Sequence, residues 1–261
     1  MVDVLLILDG ATDVTPSSLE LADTANLDRL AREGEHRALD LLPPSVPVGS
    51  ETAIAALLGW TPDGPVDRAR VEAAARGIEP KVGERVWRVD IARTHRLLVL
   101  GPPPMPSIEA TEPIRVWPDG VVPPRVLDSS TVVIGALGAA TGLGALMGAR
   151  VAVPSGATGG PDSDLAAKRR AALDAIANGA SRVVVHVGGP DEASHRHDRA
   201  AKIATIEAAD RELIGPLADA VGEAGGQLRV CPDHGCDPAT GEHVRGPVPC
   251  VTWRASAPVP A

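Results

Sequence analysis

The chain contains neither phenylalanine nor tyrosine, and Trp60, Trp87, Trp117 and Trp253 are its only aromatic residues besides histidine. A core without those rings is aliphatic, built from Val, Leu, Ile and Ala, and recognition of single-stranded nucleic acid by base stacking loses its usual platform. Cationic excess is also missing: 25 Lys and Arg stand against 34 Asp and Glu, a formal balance of −9. Displacing counterions from a phosphate backbone needs a clustered cationic surface, so no nucleic-acid partner is expected. Only three cysteines occur, Cys231, Cys236 and Cys250. So sparse and odd a number is no disulfide framework and fits a reducing, cytoplasmic compartment. Long hydrophobic runs are scarce as well. The opening MVDVLLILDG lacks a basic leader, and its apolar run at residues 4–8 is too short for a secretory signal. The uncharged stretch 132–149 is mostly Gly and Ala, so it reads as a short strand and a close-packed buried helix rather than a membrane span.

Residues 2–8 form a continuous apolar run ending at Asp9, the pattern of a central parallel strand covered on both faces. Short β-branched runs recur at 150–154, 182–187, 227–231 and 248–253. Segments 165–178 and 199–223 separate them, with apolar residues such as Ile203, Ile206, Leu213, Ile214 and Leu217 spaced three and four apart. This alternation predicts an α/β layered fold with a mainly parallel sheet and helices on both faces. From about residue 79 to 125 the texture changes to Pro, Arg and short β-like runs without helical period, which reads as a small inserted β-rich cap. The expected division is a core at 1–78, a cap or lid at 79–127, and the rest of the core at 128–261.

In parallel sheets ligands bind beyond the carboxyl ends of the strands. Asp9 follows the first strand, Asp191 and His195 follow 182–187, Asp233 and His234 follow 227–231, and His243 lies in the next loop. All are hard or borderline metal ligands, and Asp191 and His195, four apart, share a helical face. No single Asp-to-His spacing is significant here; the common position at strand ends makes the set a candidate. Ser50 follows a Pro-rich loop and Gly49 at the mouth of an apolar helix over 51–58. It reads either as an N-cap or as a nucleophile toward phosphorus, aided by the helix N-terminus and an adjacent metal. Arg88, Arg93, Arg96 and Arg115 in the inserted segment are solvated charges or anion contacts. Cys231 and Cys236 flank Asp233 and His234, so a Cys, Cys, His zinc site is an alternative, opposed by the lack of a Cys-x-x-Cys and by the place of Cys231 within a strand. His186 is expected to be a core or strand-end histidine, and His197 a surface one; His36 and His95 carry no pattern.

The segments ILDG, TANLDRLAREG, PVGSETAIAALLGWTP, VPSGATGG, GGPDEASH, PDHGCDP and GEHVRGPVP resemble, in order, landmarks of the alkaline phosphatase superfamily, and within it the cofactor-independent phosphoglycerate mutases of archaeal type. The resemblance covers roughly residues 1–77 and 129–252. It implies an alkaline-phosphatase-like layered core and two divalent ions, Mn²⁺ or Zn²⁺. One would be held by Asp191, His195 and His243, the other by Asp9, Ser50, Asp233 and His234. It further implies that Ser50 attacks in line and becomes phosphoserine. The phosphate then passes to another hydroxyl of the bound metabolite, as in a mutase, or to water, as in a phosphatase. Phosphoryl or phosphonyl transfer to a different acceptor in a specialised pathway is a third outcome. Retention of the nucleophile and every ligand argues against a non-catalytic scaffold.

Two departures stand out. Glu51 occupies the place of the family's Asp, and the cap, in the family a long insertion whose arginines hold the substrate carboxylate, is reduced to about 45–50 residues. Arg68 and Arg70 lie where the family has a Gly-Arg-Gly, without the glycines. Arg68 and Arg88 fall nearest the substrate in the family's order and are expected to bind it. A mutase must hold its intermediate away from water, so a short cap shifts the balance toward hydrolysis. The expected partner is a small phosphorylated metabolite, and the oligomeric state is left open.

Overall fold

A computed structural model describes residues 1–91 and 95–255. In chain order its elements are β1 (Asp3–Leu8), α1 (Ser18–Leu21), α2 (Ala25–Glu33), β2 (Glu35–Leu39), α3 (Ser50–Leu58), α4 (Arg68–Ala75), β3 (Arg85–Ile91), β4 (His95–Gly101), β5 (Ile114–Val116), β6 (Thr131–Ile134) and α5 (Ala139–Met147). There follow β7 (Arg150–Ala152), α6 (Leu165–Ala177), β8 (Arg182–Val187), α7 (Gly189–His195), α8 (Arg199–Ala209), a π-helical turn (Asp210–Ile214), α9 (Gly215–Glu223), β9 (Gln227–Cys231), β10 (Gly235–Asp237), β11 (Glu242–Val244) and β12 (Val248–Arg254).

The main sheet runs β2-β12-β9-β1-β8-β6-β7. From β9 to β7 all neighbours are parallel, while β12 runs antiparallel to both β9 and β2. The alternation along β1 sets the layers: Val4, Leu6 and Leu8 join Val183, Val185, Ile206 and Leu217 in one core. Leu5 and Ile7 join Val184, Ile54 of α3 and Leu143 of α5 in the other. Each such aliphatic side chain contributes about 1.5–3 kcal/mol when fully buried. The same period of two directs Asp9, just past β1, and His186, beside Ile7 in register, toward the α3 and α5 side.

The stretch 132–149 forms β6 and α5, as its composition predicts. Its glycines have a packing reason: a Cβ on Gly142 would lie 2.0 Å from the Val71 carbonyl oxygen, so α4 and α5 touch backbone to backbone only because this position is bare. Among the described residues no helix is long and apolar enough to cross a membrane. The segment 199–223 is helical throughout, interrupted by the π-helical turn, where the Asp210 carboxylate accepts from the Asn26 and Leu27 amides at 3.0 and 2.8 Å. It thereby caps α2 from a distance of about 180 residues along the chain. Strand β2, absent from the sequence reading, has the mostly exposed sequence EHRAL and pairs with β12 at the sheet edge. An edge strand with charged side chains has no apolar alternation to betray it.

Within residues 79–127, β4-β3-β5 form a small antiparallel sheet whose Val86 packs on Ala69 and Ala73 of α4. Helix α4 therefore lies between this small sheet and α5 of the main layer. Arg93 lies outside the described residues.

Candidate metal centre

Asp9, Ser50, Asp191, Asp233, His234 and their neighbours converge at the carboxyl ends of β1, β8 and β9. Gly10 makes this possible: its φ is +61°, and a Cβ there would sit 2.7 Å from an Asp191 carboxylate oxygen. Ser50 is the first residue of α3, and Gly49 is the N-cap. The capping reading of Ser50 therefore gives way; its Oγ turns outward, 3.3 and 3.4 Å from the Asp9 carboxylate oxygens and 3.3 Å from His234 Nε2. His234 Nε2 is 3.4 Å from Asp9 and 3.5 Å from Asp233. One Asp233 oxygen accepts from the Gly10 and His234 amides, at 3.1 and 2.9 Å, and the other faces the centre.

On α7, one turn places Asp191 and His195 side by side, Oδ2 to Nε2 at 3.1 Å. The loop containing β11 brings in His243, whose Nε2 is 3.3 Å from His195 Nε2 and 3.5 Å from Asp191 Oδ1. Backbone carbonyls orient both rings through their other nitrogens: Gly241 O at 2.7 Å from His195 Nδ1, and Val48 O at 3.3 Å from His243 Nδ1. Such outer contacts are what fix a ligating imidazole. Two groups of donor atoms each fall within 4.8 Å of one another: Asp191, His195, Cys236 and His243, and Asp9, Asp191 and His234. Asp191 belongs to both groups, and Cys236 joins the first.

The electrostatics suit a cation. Three carboxylates are buried together, and burial followed by repulsion from Asp233 and Asp191 drives the Asp9 carboxyl well above the usual range. Asp191 Oδ1 and Asp233 Oδ2 are buried without a hydrogen-bond partner. Uncompensated carboxylate oxygens facing imidazole nitrogens fit one or more divalent ions with mixed N and O ligands. Burial raises Asp191, but the hydrogen bond from His195 and the charges of His234, His195 and His243 outweigh it and hold that carboxyl low. The His195 ring is pushed up to about 9, chiefly by its hydrogen bond to Asp191. Burial lowers His243.

A cavity of about 490 Å³ opens beside Ser50, walled by α3, α4, α7 and the start of α5. Arg68 lines it, lying 3.5 Å from Glu51, 3.8 Å from Glu72 and 4.7 Å over the Trp117 ring. Arg88 does not line it. The residue is 2% exposed, and its guanidinium bonds Glu72 at 2.6 Å and Asp90 at 3.2 Å and stacks 4.4 Å from Trp117. It braces the wall from behind. A second cavity of about 590 Å³ reaches Asp233 and His234 from another side, past residues 40–44, Thr61 and Arg245.

Sequence reasoning missed two residues of the cluster and its wall, and paired a third with the wrong partner. His186 sits at the expected strand end, but its Nε2 lies 2.9 Å from Asp9 Oδ2 and its ring lines the Ser50 cavity; the Asp9–Ile7–His186 register was its only signal. Trp117 forms part of the same wall, and its indole donates to Asp90 at 2.6 Å. Cys236 parts from Cys231: the latter faces Cys250 on the adjoining strand, so the Cys, Cys, His site is not formed.

Comparison with known proteins agrees with this architecture. The 2,3-bisphosphoglycerate-independent phosphoglycerate mutase of Methanopyrus kandleri is 26% identical over a match that covers 96% of this chain and 84% of that protein. A second such mutase, from Methanothermobacter thermautotrophicus, is 40% identical over 42% of this chain and 27% of its own length. The first match runs over 362 positions and takes in 96% of this chain of 261 residues, which leaves about 110 positions to its relative alone. Among solved structures, PH0037 from Pyrococcus horikoshii shares the fold at a TM-score of 0.78, with 21% identity over 97% of this chain and 84% of that one. Residues 1–258 match the Metalloenzyme superfamily as a whole, and with the buried carboxylate and imidazole cluster at its strand ends the chain belongs to that superfamily.

Proposed function

We propose that the protein transfers a phosphoryl group on a small phosphorylated metabolite through a phosphoserine at Ser50, in the manner of a phosphoglycerate mutase. The observation that carries this reading is the Ser50 hydroxyl on the first residue of α3, within 3.3–3.4 Å of Asp9 and His234. Unpaired amides at a helix start favour the negative charge of an approaching phosphate. Asp191, His195 and His243 would hold one divalent ion, and Asp9, Asp233, His234 and Ser50 a second. Such ions, Mn²⁺ or Zn²⁺, neutralise phosphoryl oxygens and acidify the serine hydroxyl. Asp9 and His234 aim the Ser50 oxygen, His186 holds Asp9, and Arg68 meets the anionic end of the substrate in the cavity. Arg88 acts at one remove, by fixing Glu72 and Trp117.

Hydrolysis is the second reading, favoured by the small size of the β3–β5 insertion and by the roughly 110 positions present only in the mutase relative. The deciding measurement is phosphorus NMR of 3-phosphoglycerate incubated with Mn²⁺-loaded protein and chelated before acquisition. The 2-phospho isomer supports the mutase, and free phosphate supports the phosphatase; an unchanged spectrum refutes phosphoglycerate as substrate. Ser50→Ala is expected to lower turnover by at least ~10³-fold. Full activity in that variant would overturn the phosphoserine route.

A further inference from the structure

Cys236 stands inside this centre, and the proposed phosphoryl transfer makes no use of it. Its Sγ lies within 4.8 Å of a carboxylate oxygen of Asp191 and of ring nitrogens of His195 and His243, all mutually. The residue is wholly buried. Its backbone is pinned from both sides: the amide donates to Thr12 O at 2.8 Å, and the carbonyl accepts from Lys202 Nζ at 2.6 Å. Lys202 is itself fully buried and paired with Asp13 at 2.9 Å. A buried ion pair is a weak source of net stability, so its use here is positional: it fixes β10 where the sulfur meets the imidazoles. Beside that sulfur, the buried Asp191 Oδ1 has no hydrogen-bond partner and faces the His243 ring at 3.5 Å, an independent mark of a cation site.

We infer that Cys236 Sγ is the fourth ligand of the ion held by Asp191, His195 and His243, and that this ion is Zn²⁺ in preference to Mn²⁺. With metal–sulfur and metal–nitrogen bonds of about 2.3 and 2.0–2.1 Å, a tetrahedron has ligand separations of about 3.3–3.7 Å; Asp191, His195 and His243 stand 3.1–3.5 Å apart, and the sulfur lies within 4.8 Å of each. A thiolate ligand selects the softer ion, which the O and N donors alone do not. On binding, the S–H bond breaks, its proton leaves to solvent, and the sulfur electron pair forms the metal–sulfur bond without any change of oxidation state. Ser50 stays outside this set, beside Asp9 and His234. The inference rests on reading the cluster as a metal centre, and the test separates the two.

Apoprotein is titrated with Co²⁺, with bound metal counted by mass spectrometry and the electronic spectrum recorded. Sulfur-to-cobalt charge-transfer absorption in the near ultraviolet is expected in the wild-type protein and in Cys250→Ser. Its loss is expected in Cys236→Ser and Cys236→Ala, with the visible cobalt bands retained. Visible bands without charge transfer in the wild type overturn the thiolate ligand while leaving the metal centre standing, and they do so without any variant. Failure to bind cobalt overturns both.

Discussion

Replacing Lys168 by methionine is expected to stabilise the protein at neutral pH and to lose that advantage as pH rises. Lys168 lies on α6, fully buried, and its ammonium donates to the His186 carbonyl at 2.9 Å. Among the described residues no carboxylate pairs with it, and burial lowers its pKa from 10.5 to about 8. At 1.36 kcal/mol per pH unit, that interval corresponds to about 3 kcal/mol. Below pH 8 the group is charged in both the folded and unfolded chain, so the whole penalty opposes folding. Between about 8 and 10.5 the unfolded chain binds more protons, stability rises with pH, and above 10.5 the penalty is gone. Methionine avoids the penalty at all pH values but leaves the His186 carbonyl without its donor, a cost of about 1–2 kcal/mol. The variant should therefore be more stable by about 1–2 kcal/mol near pH 7 and less stable than wild type by a similar amount above about pH 10. Urea unfolding of both proteins in chelator measures this, and the difference between them cancels other titrating groups. A stability difference independent of pH, or one that grows in favour of methionine with pH, would refute the reasoning.

Gly142→Ala should destabilise the fold by about 1–3 kcal/mol, because the new methyl group collides with the Val71 carbonyl; an unchanged urea midpoint would show that α4 and α5 can separate freely. Chelation should lower the melting temperature, since an ion at a hundred times its dissociation constant contributes about 2.7 kcal/mol and relieves repulsion among Asp9, Asp191 and Asp233. A thermal shift assay insensitive to chelator would count against the metal centre. His186→Ala should reduce turnover about 10–100-fold with little change in KM, and His186→Gln, which keeps a donor for Asp9, should recover part of it. Equal loss in both variants would mean that the ring serves packing alone.

The layered α/β fold was legible because burial on two sheet faces writes itself directly into local composition. The runs at 182–187 and 227–231 coincide with β8 and β9, and the Gly- and Ala-rich stretch divides into β6 and α5 as its composition implies. The gathering of Asp and His at the strand ends was legible for a related reason: a parallel sheet exposes one end of its strands to a common cleft. Strand β2 was not, since a charged edge strand has no inward face along most of its length.

What the chain order could not supply is the identity of partners. Ser50 beside a Pro-rich loop reads in sequence as an N-cap or as a nucleophile; the fold makes Gly49 the N-cap of α3 and sets the Ser50 hydroxyl beside Asp9 and His234, about 40 and 180 positions away. Arg88 has the residue type of a substrate contact, yet the packing of β3 against α4 turns it onto Glu72 and Trp117. His186 reads in sequence as a strand-end histidine and Cys236 as a partner of Cys231; only the fold sets the His186 ring beside Asp9 and the Cys236 sulfur near Asp191, His195 and His243. By itself the sequence determines which residues are buried and which chemistries are at hand, because those follow from hydrophobic period and residue type. Only the tertiary structure decides which donor meets which acceptor, because distances of three ångströms between residues far apart in the chain depend on strand order and register.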